Sequence, residues 1–305
     1  MILDGLDAET RGLLDRYGFD PEQFEALRER VASGELSQAS NVVRGELEPP
    51  GESDLTRLPE RGTEEWTASR ETGLDAIRSG RVAQAVLAGG MATRFGGVVK
   101  GAVDALDGRS FLSWKLGETA TLGDALGVEI PVILMTSFQT DDETRAHVAI
   151  SNVDNLGARL DPVVVGAHIA ADRSLTVEVA AKEGDLGGAP ARVEGTLGLL
   201  EGPQFPPEFD QDRIRVFNTN SAIVRLDALD RDFELPWLHV RKQVDGRTAV
   251  QLERLYHQIS WQLETTFLEV PRAGPYGRFF PIKEPEDLEH ARVGLRELLS
   301  RNVLD

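Results

Sequence analysis

Two cationic side chains lie in a glycine-rich loop, where they could bind a chain of phosphates. Residues 89–101 contain five glycines, and their charged side chains are Arg94 and Lys100. Glycine permits positive φ angles and lets backbone N–H groups approach a ligand closely. Arginine and lysine bind phosphate oxygens through charge-assisted hydrogen bonds. The pattern therefore favours an anion site over the alternative, a flexible turn between a strand and a helix.

A carboxylate between two amides forms a second polar cluster, at the end of a strand predicted over residues 149–155. Asn152 and Asn155 lie on either side of Asp154. In a site that holds phosphates, such a carboxylate suits Mg²⁺, which keeps several waters and needs only one or two carboxylates. The alternative is a turn rich in Asp and Asn that hydrogen-bonds to its own backbone.

A third group of residues suits a ligand with many hydroxyls. Gly187 and Gly188 would let the backbone approach sugar hydroxyls, and Glu201 could accept hydrogen bonds from them. The amides of Asn218 and Asn220, within a strand-like run, need partners for both donors and acceptors. Such paired amides indicate a polyhydroxylated ligand or an internal polar network. Hairpin geometry explains the two glycines equally well.

Lys283 ends a short apolar strand predicted over residues 278–283, just before the last helix, which Pro285 opens. A lysine at a strand end beside a helix start could reach a phosphate. The alternative is a solvated charge. The five histidines are scattered without metal-ligand spacing, so no role is assigned to them.

Composition excludes several classes of function. The chain of 305 residues has no cysteine, which excludes disulfides, zinc thiolates and cysteine nucleophiles. Its net charge of −18 argues against nucleic acid or an anionic membrane as a partner. No apolar run reaches the roughly 18 residues of a membrane span, and the N-terminus does not resemble a signal peptide. A cytoplasmic location is the expectation.

The order of predicted elements favours an α/β fold with a doubly wound, mixed but mainly parallel sheet. Strands are predicted over residues 82–88 and 130–136, with a helix from Phe111 between them and another helix from Thr140. Residues 1–80 are predicted as a helical cap and linker without strands, and residues 81–305 as the α/β domain. Helices are expected over 8–17, 21–32 and 73–79, and an irregular connection over 46–62.

Two further stretches carry predictions that the fold must test. Residues 162–168 and 175–181, with the runs around 191–194 and 197–201, are predicted as a meander or hairpin. Residues 249–263 are predicted as a helix because their apolar positions share one helical face. Only about ten residues, 137–147, separate two predicted parallel strands, which is near the minimum for a crossover.

Seven motifs in this order resemble those of the UTP–glucose-1-phosphate uridylyltransferases, a family related to the UDP-N-acetylglucosamine pyrophosphorylases. They run from about residue 72 to residue 290 and comprise Leu87-Ala-Gly-Gly-Met-Ala-Thr-Arg-Phe-Gly, Met135-Thr-Ser-Phe-Gln-Thr-Asp, Ser151-Asn-Val-Asp-Asn-Leu-Gly-Ala, Gly187-Gly with Leu199-Leu-Glu, Phe217-Asn-Thr-Asn, Gln251-Leu-Glu and Arg278-Phe-Phe-Pro-Ile-Lys. The sequences of two motifs, those that begin at Ser151 and Phe217, are closer to the glucose branch than to the N-acetylglucosamine branch.

The resemblance implies a Rossmann-like, glycosyltransferase-A-like nucleotidyltransferase that makes UDP-glucose and pyrophosphate from UTP and glucose 1-phosphate with Mg²⁺. The nucleotide would contact Leu87, Ala88, Gly89, Gly90 and Thr93. The reacting phosphates would contact Arg94, Lys100 and Lys283, and Mg²⁺ would bind Asp154. The sugar would contact Asn155, Gly187, Gly188, Glu201, Asn218 and Asn220.

The sequence departs from the family pattern in three places. The loop before Lys100 lacks the family's Pro-Lys ending, and because the chain stops soon after the last predicted helix, the C-terminal β-helix domain frequent in the family is not expected. A family segment of many tens of residues, including a loop that contacts uracil, is missing between about Arg145 and Ile150. A non-catalytic nucleotide- or sugar-phosphate-binding relative and a UDP-N-acetylglucosamine pyrophosphorylase remain alternatives. A dehydrogenase is disfavoured, since its glycine loop would open a helix directly.

Overall fold

Helices and short strands alternate along the chain in the computed structural model, which describes residues 5–88, 91–92, 98–137, 155–185, 187–244, 246–282 and 285–300. The helices are α1 (Ala8–Arg16), α2 (Pro21–Ala32), α3 (Gln38–Asn41), α4 (Glu64–Arg78), α5 (Phe111–Leu126), α6 (Pro162–Ala171) and α7 (Pro285–Ser300). The strands are β1 (Leu47–Glu48), β2 (Leu55–Arg57), β3 (Gln84–Leu87), β4 (Met91–Ala92), β5 (Val98–Val99), β6 (Asp104–Leu106), β7 (Arg109–Ser110), β8 (Val132–Met135), β9 (Leu175–Ala181), β10 (Ala189–Val193), β11 (Thr196–Leu200), β12 (Val216–Val224), β13 (Leu238–Val244), β14 (Arg247–Glu253) and β15 (Thr265–Glu269).

The strands form sheets of mixed direction. The largest has the order β12-β9-β15-β2, in which β12 is antiparallel to β9, whereas β15 is parallel to both β9 and β2. An antiparallel sheet has the order β1-β10-β11. β3 pairs with β8 in parallel, as predicted for strands 82–88 and 130–136. The described residues thus form a mixed α/β fold in which three strand pairs are parallel and six are antiparallel, so the prediction of a mainly parallel sheet is not confirmed.

Two apolar cores hold the elements that carry the motifs. The larger lies where the two main sheets meet and includes Val179 of β9, Leu200 of β11 and Val216 of β12. The second joins α5, β6 and α7, and it also contains Leu156 and Ile282. Because these two residues lie next to the Asn155 and Lys283 motifs, the second core fixes the backbone beside both motifs.

Helix α5 confirms the prediction of a helix packed on the sheet after the glycine loop. The Ser110 side chain caps its N-terminus by accepting a hydrogen bond from the Ser113 N–H at 3.1 Å. Gly127 ends the helix with a left-handed φ of 69°. Of the predicted core positions, Phe111 and Leu122 are fully buried. The helix therefore presents an apolar face inward, as its spacing indicates.

Helices α4 and α6 pack against each other through glycines. A β-carbon on Gly73 would collide with the carbonyl oxygen of Pro162, and one on Gly166 would collide with that of Ser69. Each glycine therefore allows the backbone of the other helix to approach closely. This pairing fixes the helix that precedes β3 against the helix that follows the Asn155 motif.

The N-terminal region contains strands that the sequence analysis did not predict. Helices α1 and α2 confirm the predictions, and α4 is longer than the predicted 73–79 segment. The expectation of no strand before residue 80 is wrong, because β1 pairs with β10 and β2 pairs with β15. These strands of two and three residues lie within the predicted irregular connection. Such short strands leave too little periodicity in the sequence to be detected.

Residues 162–168 form a helix, so the predicted strand is wrong. Asp161 caps helix α6 by accepting a hydrogen bond from the Val163 N–H at 2.9 Å, and Pro162 occupies the first turn. Both are features of a helix start. The run of apolar residues reflects burial on several sides and not strand alternation. The strand predicted over 175–181 and the hairpin formed by β10 and β11 are confirmed.

Residues 249–263 do not form the predicted helix. Strand β14 pairs with β13 along its whole length, and a 3₁₀ helix follows at Tyr256–Trp261. Gln251 and Glu253 therefore lie on a hairpin strand. The apolar positions have the spacing of an α-helix, but some of them belong to a strand and the others to a 3₁₀ helix. The spacing therefore predicted the wrong structure.

The remaining fold predictions concern residues 140–155 and 278–283. The helix predicted from Thr140 and most of the strand over 149–155 lie outside the described residues. The stretch predicted as a strand over 278–283 forms, within its described residues, an isolated bridge between Pro281 and Asn155. No helix among the described residues is long and apolar enough to cross a membrane.

Candidate functional site

The strand before the glycine loop ends at two of the predicted nucleotide-binding positions. Leu87 closes β3 opposite Met135 of β8, and the Ala88 N–H donates to the Met135 carbonyl at 2.7 Å. Lys100 opens a short 3₁₀ helix, Lys100–Ala102, after β5. The other predicted loop residues, Gly89, Gly90, Thr93 and Arg94, lie outside the described residues. Their roles remain predictions.

Asn155 ties the predicted metal motif to the predicted lysine motif. Its Oδ1 accepts hydrogen bonds from the N–H groups of Gly157 at 3.0 Å and Phe280 at 2.7 Å. Its Nδ2 donates to the carbonyls of Arg278 at 3.0 Å and Thr219 at 3.4 Å. These bonds use the whole capacity of the amide. A direct sugar contact by this side chain, as predicted, would require one of them to break.

The two backbone segments that Asn155 joins, one at Gly157 and the other at Arg278, approach each other closely. A β-carbon on Gly157 would lie 2.7 Å from the carbonyl carbon of Arg278 and 2.8 Å from the Phe279 nitrogen. Glycine is therefore required at this position. Because Asp154 and Lys283 lie outside the described residues, the structure fixes their neighbours and not their side chains.

A buried ion pair anchors the backbone of the lysine motif. The Arg278 guanidinium donates from Nε at 2.6 Å and from Nη2 at 2.7 Å to the two carboxylate oxygens of Glu178 on β9. Both side chains are almost fully buried. Burial acts to lower the pKa of Arg278, but the charge of Glu178 and its hydrogen bonds outweigh it, so this pKa is raised. The guanidinium is therefore a permanent charge that couples the motif to the main sheet.

Gly188 and Glu201 meet at the open end of the β10–β11 hairpin. A β-carbon on Gly188 would lie 2.5 Å from Glu201 Oε1 and 2.9 Å from the Leu200 carbonyl oxygen. At Gly187, by contrast, a β-carbon would meet only a carbon of the Phe217 ring, at 3.9 Å. Close approach therefore explains Gly188 alone. The Glu201 carboxylate keeps about a quarter of its surface exposed, at 23%.

Asn218 and Asn220 lie on a β-bulge of β12. The register with β9 shifts between Asn218 and Ala222, and Asn220 adopts a left-handed φ of 61°. The Nδ2 of Asn218 donates to the Oδ1 of Asn220 at 2.9 Å, while the Oδ1 of Asn218 accepts from the Asn220 N–H at 3.0 Å. The bulge turns Asn220 toward solvent, whereas Asn218 is buried. The internal polar network, left open as an alternative, is therefore present.

Backbone contacts join these groups into one cluster. The Asn218 N–H donates to the Gly188 carbonyl at 2.7 Å, which places the bulge beside the hairpin end that carries Glu201. The Thr219 carbonyl receives the bond from Asn155. The structure thus brings together the predicted sugar-binding residues, which lie in separate stretches of the chain. They are Asn155, Gly187, Gly188, Glu201, Asn218 and Asn220.

Arg272 stabilises this cluster. The sequence analysis did not identify it. Its Nη1 donates to Asp185 Oδ2 at 2.8 Å and to the Ala181 carbonyl at 3.1 Å. Its guanidinium carbon also lies 4.9 Å from the ring centre of Phe217 and 5.3 Å from that of Phe279. Arg272 therefore links the turn before Gly187 to two of the motifs. Since its partners lie far apart in sequence, no spacing rule could have revealed it.

The described residues contain no group of three or more His, Asp or Glu side chains that could hold a metal ion. A site built from one protein carboxylate and substrate phosphates needs no such group. The backbone beside Asp154 is fixed by the four bonds of Asn155. Asp154 itself lies outside the described residues, so its role in binding Mg²⁺ stays a prediction.

Comparison with known sequences identifies the family. A family model described as UTP–glucose-1-phosphate uridylyltransferase matches residues 22–149 and 145–300. The two matched ranges overlap at residues 145–149, the place where the sequence analysis finds a departure from the family pattern. A curated relative of the same description from Musa acuminata is 33% identical over 171 residues, which is 51% of this chain and 36% of that protein. The chain thus spans little more than a third of the length of this relative.

Comparison with solved structures shows the same fold. A variant of UDP-glucose pyrophosphorylase from Leishmania major superposes with a TM-score of 0.67 and 18% identity, covering 94% of this chain and 80% of that one. A UDP-N-acetylglucosamine pyrophosphorylase from Trypanosoma brucei, in complex with an inhibitor, gives a TM-score of 0.66 and 16% identity. It covers 87% of this chain and 74% of the other.

Proposed function

Because the chain belongs to the UTP–glucose-1-phosphate uridylyltransferase family, we propose that it forms UDP-glucose and pyrophosphate from UTP and glucose 1-phosphate. The observation that supports this most is the cluster of Gly188, Glu201 and Asn218, where the hairpin end and the bulge meet. A backbone without a side chain, an accepting carboxylate and amides suit the hydroxyls of a hexose. We also propose that the sheet around β3 and β8 is doubly wound, as in the family that the sequence resembles.

In the proposed reaction, an oxygen of the sugar phosphate attacks the α-phosphorus of UTP. One phosphorus–oxygen bond forms, the bond between the α-phosphorus and its bridging oxygen breaks, and pyrophosphate leaves. Such a transfer requires mainly positioning and neutralisation of charge. Arg94 and Lys100 would neutralise the triphosphate, and Lys283 would contact both reactants.

Asp154 would hold Mg²⁺ together with the phosphates. Bound there, the ion would supply charge neutralisation on the phosphate oxygens. Asn155 serves this arrangement by fixing the backbone next to Asp154 and, through Phe280, the backbone that leads to Lys283. The Arg278–Glu178 pair holds the same segment against the main sheet.

Release of pyrophosphate from UTP and glucose 1-phosphate with Mg²⁺ tests the proposal. We expect turnover that Lys283→Ala reduces by several orders of magnitude. Lys242→Ala is the matched control, because Lys242 is half-exposed and pairs with Glu253 on the β13–β14 hairpin. A protein that turns over no pair of nucleotide and sugar 1-phosphate would overturn the proposal. Parallel assays with N-acetylglucosamine 1-phosphate separate the two branches of the family.

A second candidate is a non-catalytic relative that binds nucleotide or sugar phosphate. The departure from the family pattern at residues 145–149, where the two matched ranges overlap, favours it, since the missing family segment includes the uracil contact. Calorimetry with UTP and with glucose 1-phosphate distinguishes the candidates. Binding without turnover supports the second candidate, and absence of binding excludes it.

A further inference from the structure

His257 faces the candidate sugar-binding carboxylate from the 3₁₀ helix that follows β14. Its Nε2 lies 2.7 Å from Glu201 Oε1, and its ring is almost fully buried. The two groups are at ion-pair distance without hydrogen-bond alignment. Nδ1 of the same ring is buried and has no hydrogen-bond partner among the described residues. Contacts of this kind often align only when a ligand is bound.

Two lone pairs facing each other at 2.7 Å would repel, so the contact between Nε2 and Glu201 Oε1 favours a proton on Nε2, although the pair is not aligned as a hydrogen bond. If the neutral ring carried its proton on Nδ1, a donor would be buried without a partner. A buried, unpaired N–H costs more than an unpaired ring acceptor. The environment therefore favours the tautomer with its proton on Nε2, the nitrogen that lies 2.7 Å from the carboxylate.

The 3₁₀ helix is fixed to the strand that carries Glu201. The Leu199 N–H donates to Ser260 Oγ at 3.0 Å, and Trp261 Nε1 donates to the Leu199 carbonyl at 2.8 Å. Both bonds join Tyr256–Trp261 to β11 two residues before Glu201. The side chains of Ser260 and Trp261 therefore hold the 3₁₀ helix that carries His257 against the strand that leads to Glu201.

We propose that His257 is a positioning residue for the hexose site. When the sugar 1-phosphate is bound, Nε2–H donates to Glu201 Oε1, the oxygen that also lies where a β-carbon on Gly188 would collide, and this leaves Oε2 to accept from a hydroxyl of the sugar. This inference rests on the proposed function. Burial, the largest cause, and the charges of Glu178 and Glu201 raise the pKa of Tyr256, the residue before His257.

Nitrogen-15 NMR of the histidine ring tests the proton's position without any assay of activity. We expect Nε2 of His257 to carry the proton and Nδ1 to show the shift of an unprotonated ring nitrogen. A neutral ring protonated on Nδ1 would overturn the proposal. His257→Gln identifies the signal, because the resonance is lost in that variant.

Kinetics of two variants then test the positioning role. We expect His257→Leu to raise the KM for glucose 1-phosphate about tenfold and to leave the KM for UTP nearly unchanged. His257→Gln, whose amide can donate from a similar place, should restore most of the affinity. Equal effects on both substrates, or no rescue by glutamine, contradict the proposal. Wild-type protein without turnover overturns the proposed function instead, and the NMR measurement still decides the tautomer. If the leucine variant does not fold, the glutamine variant and the NMR result decide.

Discussion

The backbone of Gly188 and the carboxylate of Glu201 lie so close together that a side chain at position 188 would not fit between them. A β-carbon on Gly188 would lie 2.5 Å from Glu201 Oε1 and 2.9 Å from the Leu200 carbonyl oxygen. We expect Gly188→Ala to displace the carboxylate and to raise the KM for glucose 1-phosphate by about tenfold or more, or ~1.4 kcal/mol. Steady-state kinetics with each substrate varied in turn measure this.

Gly187→Ala is the matched control for this variant. Its β-carbon would make an ordinary contact with the Phe217 ring at 3.9 Å. We expect its KM to stay within about twofold of wild type, or ~0.4 kcal/mol. Equal effects of the two alanines would show that close approach at Gly188 is not what matters.

Loss of the Arg278 guanidinium should destabilise the protein strongly. Arg278→Met leaves Glu178 buried without its partner, at an expected cost of about 3–5 kcal/mol in the free energy of unfolding. The control is Arg28→Met, which breaks the exposed pair with Glu25 and should cost less than about 1 kcal/mol. Urea unfolding of both variants gives the comparison. A difference below about 1 kcal/mol between them would contradict the interpretation.

The buried His168 should make stability depend on pH. Burial, and then the charge of Arg225, lower the pKa of His168 below its usual value of about 6.5. Below that value the unfolded chain binds a proton that the folded protein resists, so the free energy of unfolding falls as pH decreases. The slope for one proton reaches about 1.4 kcal/mol per pH unit.

Urea unfolding between about pH 5.5 and pH 7, where histidines titrate, measures this dependence. His168→Gln should flatten it, because glutamine can still reach Thr176 Oγ1, now 2.8 Å from the ring Nδ1, and does not titrate. An unchanged slope in that variant would assign the pH dependence to other groups.

Alanine substitutions at two glycines should change stability in opposite directions. Gly166→Ala drives a β-carbon into the Ser69 backbone, and we expect a loss of about 3 kcal/mol or more as helices α4 and α6 separate. Gly12→Ala meets no atom within 4 Å in α1 and should stabilise by about 0.5–1 kcal/mol. Thermal unfolding followed by circular dichroism reports both. If Gly166→Ala were no more destabilising than Gly12→Ala, the close contact between α4 and α6 would be contradicted.

The sequence predicted elements whose own residues specify them. Asp20 and Pro21 are typical of the start of a helix, here α2. Short apolar runs are typical of buried strands, here β3 and β8. Predictions failed where pairing partners decide the structure. Strand β2 exists because β15 lies beside it, and β14 because β13 does. Neither partner can be read from the segment itself.

The candidate site likewise contains residues that the sequence predicted and residues that it did not. Gly188, Glu201 and Asn218 were found through motifs, and the structure brings them together. Arg272 and His257 were not found, because each acts on a residue more than fifty positions away in sequence. Contacts of that range arise only in the folded chain.

The glycine contact between α4 and α6 bears on how the family can vary in length. It fixes Gly73 before β3 against Pro162, and the bonds of Asn155 fix the chain again at Phe280. The stretch between Met135 and Asn155 is held at one end by the pairing of β8 with β3 and at the other by the bonds of Asn155. For ends held in place, each doubling of an intervening loop costs only about 0.6 kcal/mol of closure entropy. A change in the length of this stretch should therefore cost the cluster of Gly188, Glu201 and Asn218 little stability.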